Sequence, residues 1–75
     1  MQFDKELDAS DLACPLPIVK TKKALSGMTS GQVLRVIATD SGSETDMPIF
    51  AEQTGNTLLH QSSEGGQYIF FLKKA

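Results

Sequence analysis

The three prolines of this 75-residue chain limit where its helices can begin. Proline is tolerated in the first turn of a helix, where its missing N–H would have no partner, but it disrupts a helix interior. Pro15 and Pro17 precede a stretch with helical apolar spacing, which predicts a first helix from the prolines to about Met28. Its apolar stripe contains Ile18, Thr21, Ala24, Leu25 and Met28. The interspersed Lys20, Lys22 and Lys23 fall on the opposite, solvated side.

A second helix is predicted around Pro48, with Thr45 or Asp46 favoured over Ser43 as its N-cap. The spacing i, i+3, i+4, i+7 is occupied by Met47, Phe50, Ala51 and Thr54. Gly55 is placed to end this helix in a left-handed conformation.

Four strands complete the predicted order β-α-β-α-β-β. They are expected over residues 2–8, 32–39, 56–61 and 67–73. Residues 62–66 contain two glycines and form the expected hairpin turn between the last two strands. Strands joined through a helix are expected to be parallel, so the closing hairpin makes the sheet mixed.

Two helices cover at most one face of such a sheet, which leaves the other face open. The last strand contains Tyr68, Ile69, Phe70, Phe71 and Leu72, and neither of its faces is polar. Two interpretations of the open face follow. It is a protein-contact patch, or it lies under long neighbouring side chains such as Arg35.

Length and composition indicate one globular domain over residues 1–75, with 40% hydrophobic and 21% charged residues. The net charge of −2 disfavours direct binding to nucleic acid. Because no apolar stretch is long enough to span a bilayer and the first residues do not resemble a secretory signal, a cytoplasmic protein without membrane contact is expected.

Cys14 is the only cysteine, so it cannot close a disulfide within the chain. Free cysteines are often buried and inert, which is one interpretation of this residue. The other is an exposed, reactive thiol at the start of the first helix, where the helix dipole favours a thiolate. Helix starts at either Pro15 or Pro17 are compatible with the sequence, and both leave few N–H donors near the sulfur. The expectation is therefore a modest depression of the Cys14 pKa, with Lys20 or Lys23 assisting.

The segment Leu7–Pro17 contains a Leu-Asp pair followed by Cys14-Pro15-Leu16-Pro17, a Cys-Pro-x-Pro motif. Together with the lysine-rich first helix and the sequence Asp46-Met47-Pro48 at the second, it resembles the TusA/SirA/YedF family of small sulfur-carrier proteins over essentially the whole chain. The resemblance implies a two-layer α/β sandwich similar to the C-terminal domain of bacterial initiation factor three. Its four-stranded mixed sheet has the order 1-2-4-3, with strand 4 antiparallel to the others.

The family activity implied by the resemblance is to accept a sulfane sulfur as a persulfide on Cys14 and to pass it to an acceptor protein. Pro15 and Pro17 are then expected to present the sulfur. No metal or cofactor is implied. The expected partners are a persulfide donor, of the cysteine desulfurase or rhodanese type, and a sulfur acceptor, with the chain itself a monomer or weak oligomer. Lys20, Lys23 and Asp11 are candidate contacts for them.

Asp11 departs from the family pattern, which commonly has glycine there, and its charge is expected to raise the Cys14 pKa or to restrict the choice of partners. An alternative function is a regulatory or interaction module that uses the open sheet face, with Cys14 incidental. Direct RNA binding is the third and least favoured hypothesis. His60 is interpreted as a surface residue of a strand, since it has no companion at metal-ligand spacing.

Overall fold

A computed structural model describes residues 2–75 and contains the predicted element order. The elements are β1 (Lys5–Ala9), α1 (Leu16–Ser26), β2 (Val33–Ala38), α2 (Ser43–Thr54), β3 (Thr57–Glu64) and β4 (Gln67–Lys73). The first strand starts later than predicted. Asp4 pairs with Val33 through its backbone N–H and through its side-chain carboxylate, which accepts the Val33 N–H. A side-chain oxygen therefore occupies the place of a backbone carbonyl, and regular pairing begins at Lys5.

The strands form one mixed sheet with the order β1-β2-β4-β3. β1 and β2 are parallel, whereas β4 runs antiparallel to both β2 and β3. This arrangement confirms the predicted two-layer α/β fold and its strand order. β2 and β4 occupy the centre of the sheet, in agreement with their nearly unbroken apolar sequences.

The hydrophobic core lies between one face of the sheet and the two helices. Burial alternates along β2, where Leu34, Val36 and Ala38 are buried, as expected for a strand with one covered face. Other core side chains are Ala9, Leu25, Met47, Phe50, Ala51, Phe70 and Leu72. In α1 the predicted stripe does face this core, while the three lysines are exposed.

The helix α1 ends at Ser26, two residues before the predicted end at Met28. The N–H groups of Gly27 and Met28 donate to carbonyls three residues earlier, at Ala24 and Leu25, so the last turn tightens and the α-helical ladder stops. Met28 nevertheless packs against the core. The predicted apolar stripe was thus correct beyond the point where the helix itself ends.

The helix α2 begins earlier than predicted, and the expected N-cap at Thr45 or Asp46 was wrong. Gly42 is the N-cap and Ser43 the first helical residue. Carbonyls of the preceding turn at Asp40 and Ser41 accept the N–H groups of Ser43 and Glu44, which extends the helix backwards. The predicted C-terminal cap is confirmed, since Gly55 has a φ of 75°.

The early start places Pro48 inside α2 rather than in its first turn. In a regular helix the carbonyl of Glu44 would accept the N–H of residue 48, which proline lacks. The side chain of Gln61 in β3 replaces that donor, with Nε2 lying 3.1 Å from the Glu44 carbonyl oxygen. A contact from the sheet therefore compensates for the interior proline.

The closing hairpin is tighter than predicted. β3 continues to Glu64, so the turn consists of Gly65 and Gly66, with φ of 57° and 83°. Two consecutive positive φ values match a turn whose twist suits a two-residue hairpin, and only glycine adopts them without strain. The predicted loop at residues 62–66 was therefore too long, because Ser62 and Ser63 pair with β4 instead.

The open face of the sheet is covered at its centre. Phe71 is only 8% exposed although it points away from the helices. The Phe3 and His60 rings lie 6.2 and 6.1 Å from its ring, and the Arg35 guanidinium lies 5.9 Å from the same ring. Arg35 also forms an ion pair with Glu6. Of the two interpretations of this face, the structure matches a surface lying under neighbouring side chains, and His60 is an exposed residue on strand β3.

Candidate functional site

Cys14 lies exposed in the turn between β1 and α1. The helix begins at Leu16, between the two predicted starts, with Pro15 as its N-cap and Pro17 in its first turn. The Cys14–Pro15 peptide bond is cis. Pro17 is buried against the core and anchors the turn, whereas Pro15 lies at the surface beside the thiol. The exposed position of the sulfur agrees with the interpretation of Cys14 as an accessible thiol.

The start of α1 provides no N–H donor for a thiolate within the described chain. The N–H of Leu16 donates to the Ala13 carbonyl, and the N–H of Ile18 donates to the Pro15 carbonyl. Pro17 has no N–H. Proximity to a helix N-terminus therefore does little to stabilise negative charge on this sulfur, as the count of proline residues predicted.

The side chain that contacts the thiol comes from the second helix. The Cys14 Sγ donates a hydrogen bond to Asp46 Oδ2 at 3.4 Å, a contact between residues 32 positions apart. Asp46 lies near the beginning of α2, which packs alongside α1. Sequence reasoning assigned Asp46 to a helix cap and missed this contact, because no local pattern connects the two positions.

The pKa of the Cys14 thiol is raised above its ordinary value. The largest cause is the hydrogen bond to the Asp46 carboxylate, followed by desolvation and by the negative charges of Asp46 and Asp40. The S–H form donates to the carboxylate, whereas a thiolate would repel it. The predicted modest depression of this pKa was therefore wrong in sign.

The backbone conformation at position 11 explains how an aspartate is accommodated there. Its φ of 64° lies in the left-handed region, where glycine is favoured and aspartate is better tolerated than most residues. Its N–H donates to Thr39 Oγ1 at 2.8 Å. The negative charges that act on the thiol come from Asp46 and Asp40 instead, so the expected effect of Asp11 on the Cys14 pKa is not seen.

Lys20 and Lys23 are exposed on α1, and neither is in the ion pair formed among residues 2–75, which joins Arg35 and Glu6. The structure thus brings Cys14, Pro15 and Asp46 together and leaves the two lysines on the outer surface of α1. Their suggested role as partner contacts remains a prediction.

A shallow depression of about 260 Å³ adjoins Asp46. Its lining is mostly apolar and consists of Pro15, Ile18, Asp46, Ile49, Phe50 and Gln53. Ile49 is 47% exposed, and Leu16 and Val19 on α1 are exposed to a similar degree. The surface beside the thiol is therefore mostly apolar and includes one carboxylate.

Among residues 2–75, no three His, Cys, Asp or Glu side chains lie close enough together to hold a metal ion. Over the same residues, no helix is both long and apolar enough to cross a membrane. The site places one exposed thiol next to a carboxylate.

Comparison with known proteins establishes the relationship suggested by the motif. The family model described as sulfurtransferase TusA matches residues 5–74. The chain belongs to the TusA family. Its relatives include the sulfur carrier protein TusA of Allochromatium vinosum, which is 59% identical over 97% of this chain and 96% of the relative. The putative sulfur carrier protein YrkI of Bacillus subtilis is 47% identical over 99% of both chains.

A solved structure supports the fold of this TusA-family chain. The SirA-like protein of Desulfitobacterium hafniense superposes with a TM-score of 0.82, covering 93% of this chain and 96% of the other, at 24% sequence identity. This similarity concerns the fold. Within that fold, Asp11 adopts a positive φ that glycine would adopt without strain.

Proposed function

We propose that this chain is a sulfur carrier that accepts a sulfane sulfur on Cys14 as a persulfide and delivers it to an acceptor protein. The names of its TusA-family relatives support a role in sulfur transfer. The observation that carries the proposal is the exposed position of the chain's one thiol at the tip of the Cys-Pro-x-Pro turn. An exposed sulfur on a small domain is accessible to donor and acceptor alike.

The loading reaction is an exchange between thiols. The Cys14 thiolate attacks the outer sulfur of a donor persulfide, R–S–SH, so that a new S–S bond forms as the donor S–S bond breaks. The donor leaves as a thiolate and takes up the proton that Cys14 lost. The products are the Cys14 persulfide and R–SH, with no net oxidation. Delivery is the same exchange with the acceptor thiol as the attacking group.

The absence of a second cysteine in the sequence suits this role. A neighbouring thiol could attack the Cys14 persulfide, form an internal disulfide and release the sulfur before delivery. With one thiol, the carrier holds its sulfur until an external thiol attacks. Turnover therefore needs an external persulfide donor and an external acceptor thiol, which we assign to a protein of the cysteine desulfurase or rhodanese type and to an acceptor protein.

Intact-protein mass spectrometry tests loading. The chain is incubated with a cysteine desulfurase and cysteine, and we expect its mass to increase by one sulfur atom, an increase that a reductant removes. The Cys14→Ser variant serves as the matched control and should gain no mass. Equal mass gain by the variant, or no gain by the natural chain with either desulfurase or rhodanese donors, would contradict the proposal. If neither the natural chain nor Cys14→Ser gains sulfur, and both bind a partner protein, the result would favour the interaction-module alternative.

A further inference from the structure

The contact between Cys14 and Asp46 places a carboxylate oxygen where a reactive thiolate would form. The two side chains belong to different elements, and the Sγ to Oδ2 distance is 3.4 Å. A thiol that donates to a carboxylate is held in its protonated form, while the thiolate is the species that attacks a persulfide. In the free protein this arrangement opposes the reaction proposed for the site.

No positive charge in the described structure offsets this effect at the sulfur. The elements around the sulfur carry several charged side chains: Asp11 in the same turn, Lys20, Lys22 and Lys23 on α1, Asp40 before α2, and Glu44, Asp46 and Glu52 on α2. Of these, Asp46 and Asp40 act on the thiol, and both disfavour the thiolate. The three lysines are exposed and form no ion pair among residues 2–75. A cation that neutralises Asp46 must therefore come from another molecule.

We propose that Asp46 is a positioning residue that keeps Cys14 protonated in the free carrier, and that the sulfur-donor protein activates the thiol by placing a cationic side chain on Asp46. This inference rests on the proposed carrier function and adds its regulation.

The surface around Asp46 matches such a partner. Asp46 lines the depression together with Pro15, Ile18 and Ile49, so a lysine or arginine flanked by apolar side chains complements both its charge and its polarity. Pairing of the cation with Asp46 removes the acceptor of the S–H hydrogen bond. The proton of Cys14 then passes to the sulfur of the departing donor thiolate as the outer sulfur is transferred.

The first half of the proposal is tested by the pH dependence of Cys14 alkylation with iodoacetamide. In Asp46→Asn we expect the midpoint of the rate profile to move to lower pH. One charge about 4 Å away in water-like surroundings changes an equilibrium by roughly fivefold. Because nucleophilicity falls as a thiol becomes more acidic, about half of that gain on a logarithmic scale is lost, which leaves a two- to threefold faster reaction at neutral pH.

Asp11→Asn is the matched control, because it removes a nearby negative charge that does not contact the thiol and keeps a side chain tolerated at positive φ. Its alkylation profile should coincide with that of the natural chain. Superimposable profiles for Asp46→Asn and the natural chain would overturn the proposal. An equal shift in both variants would also overturn it, since the effect would then come from net charge rather than from the contact. Circular dichroism verifies that the variants are folded.

The second half compares two sulfur donors, a cysteine desulfurase and glutathione persulfide. Glutathione persulfide is small and lacks an apolar surface with a cationic side chain, so Asp46→Asn should load about two- to threefold faster from it. With the desulfurase, the variant should load at the same rate as the natural chain or more slowly, because it lacks the carboxylate that recruits the cation. An equal increase with both donors would overturn activation by the partner. Because alkylation requires no sulfur transfer, its result remains interpretable even if neither donor loads Cys14.

Discussion

Gln61 is expected to stabilise helix α2 only because Pro48 interrupts it. The side-chain amide of Gln61 donates to the Glu44 carbonyl oxygen at 3.1 Å. In a regular helix the backbone N–H of residue 48 would donate to this oxygen. A net hydrogen bond of this kind contributes about 1 kcal/mol. Replacing Gln61 by methionine keeps the length of the side chain but removes the donor. The variant should therefore lose about 1 kcal/mol in free energy of unfolding, which lowers Tm by roughly 4–8 °C in a chain of this size.

The same substitution made in a Pro48→Ala background isolates the cause. An alanine at this position supplies its own N–H to the Glu44 carbonyl, so Gln61→Met should then cost about 0.5 kcal/mol or less. The coupling between the two sites is expected to be about 0.5–1 kcal/mol. Urea unfolding followed by far-ultraviolet circular dichroism measures all four proteins, because the chain has no tryptophan and a single tyrosine.

Gln67→Met, at the exposed start of β4, is the control for placing methionine in a strand and should change stability by about 0.5 kcal/mol or less. If Gln61→Met costs the same with proline and with alanine at position 48, the explanation of the interior proline is refuted.

Two further predictions concern the segment before Cys14. Asp11→Ala should have a free energy of unfolding about 1 kcal/mol lower than that of Asp11→Gly, because alanine is strained at a φ of 64°. Chemical denaturation of the two variants measures this difference. Equal stability would be inconsistent with the left-handed turn. The pKa of Asp8 is lowered, first by its side-chain hydrogen bond with Ser10 and then by the Ser10 backbone N–H. The stability that Asp8 contributes is therefore present above its unfolded pKa of about 3.9 and is lost as pH falls through the lower folded value. Asp8→Ala should thus be less stable than the natural chain at pH 7, and this difference should diminish in acid; a difference independent of pH would argue against the effect.

The fold was largely predictable because its signals are local. A nearly continuous apolar run rich in β-branched residues such as Val36 and Ile37 indicates an inner strand, and the two glycines before β4 indicate a hairpin. The start of α2 could not be predicted in the same way. Pro48 is a strong local signal against an earlier start, and the compensating donor, Gln61, lies in a different strand.

The candidate site was likewise predictable only where its residues are close together in the sequence. Cys14 and its prolines form a contiguous motif, so the sequence was sufficient to single them out and to count the missing N–H donors. The direction of the Cys14 pKa depends on Asp46, whose place beside the sulfur is set by the packing of α2 against α1. Charge near a thiol is a property of the assembled fold, and Asp11, the acidic residue closest in sequence among those considered, was the wrong choice.

Delivery of a labelled sulfur atom is the most direct test of the account. The chain is loaded by a desulfurase with cysteine containing heavy sulfur, separated from the donor, and mixed with an excess of a small thiol. We predict that the mass of the chain returns to its initial value and that the label appears in the persulfide of the small thiol and in the sulfide that excess thiol releases from it, with no label bound or delivered by Cys14→Ser. Label that stays on the natural chain after the thiol is added, or that is bound equally by the serine variant, would contradict the claim that Cys14 carries transferable sulfur.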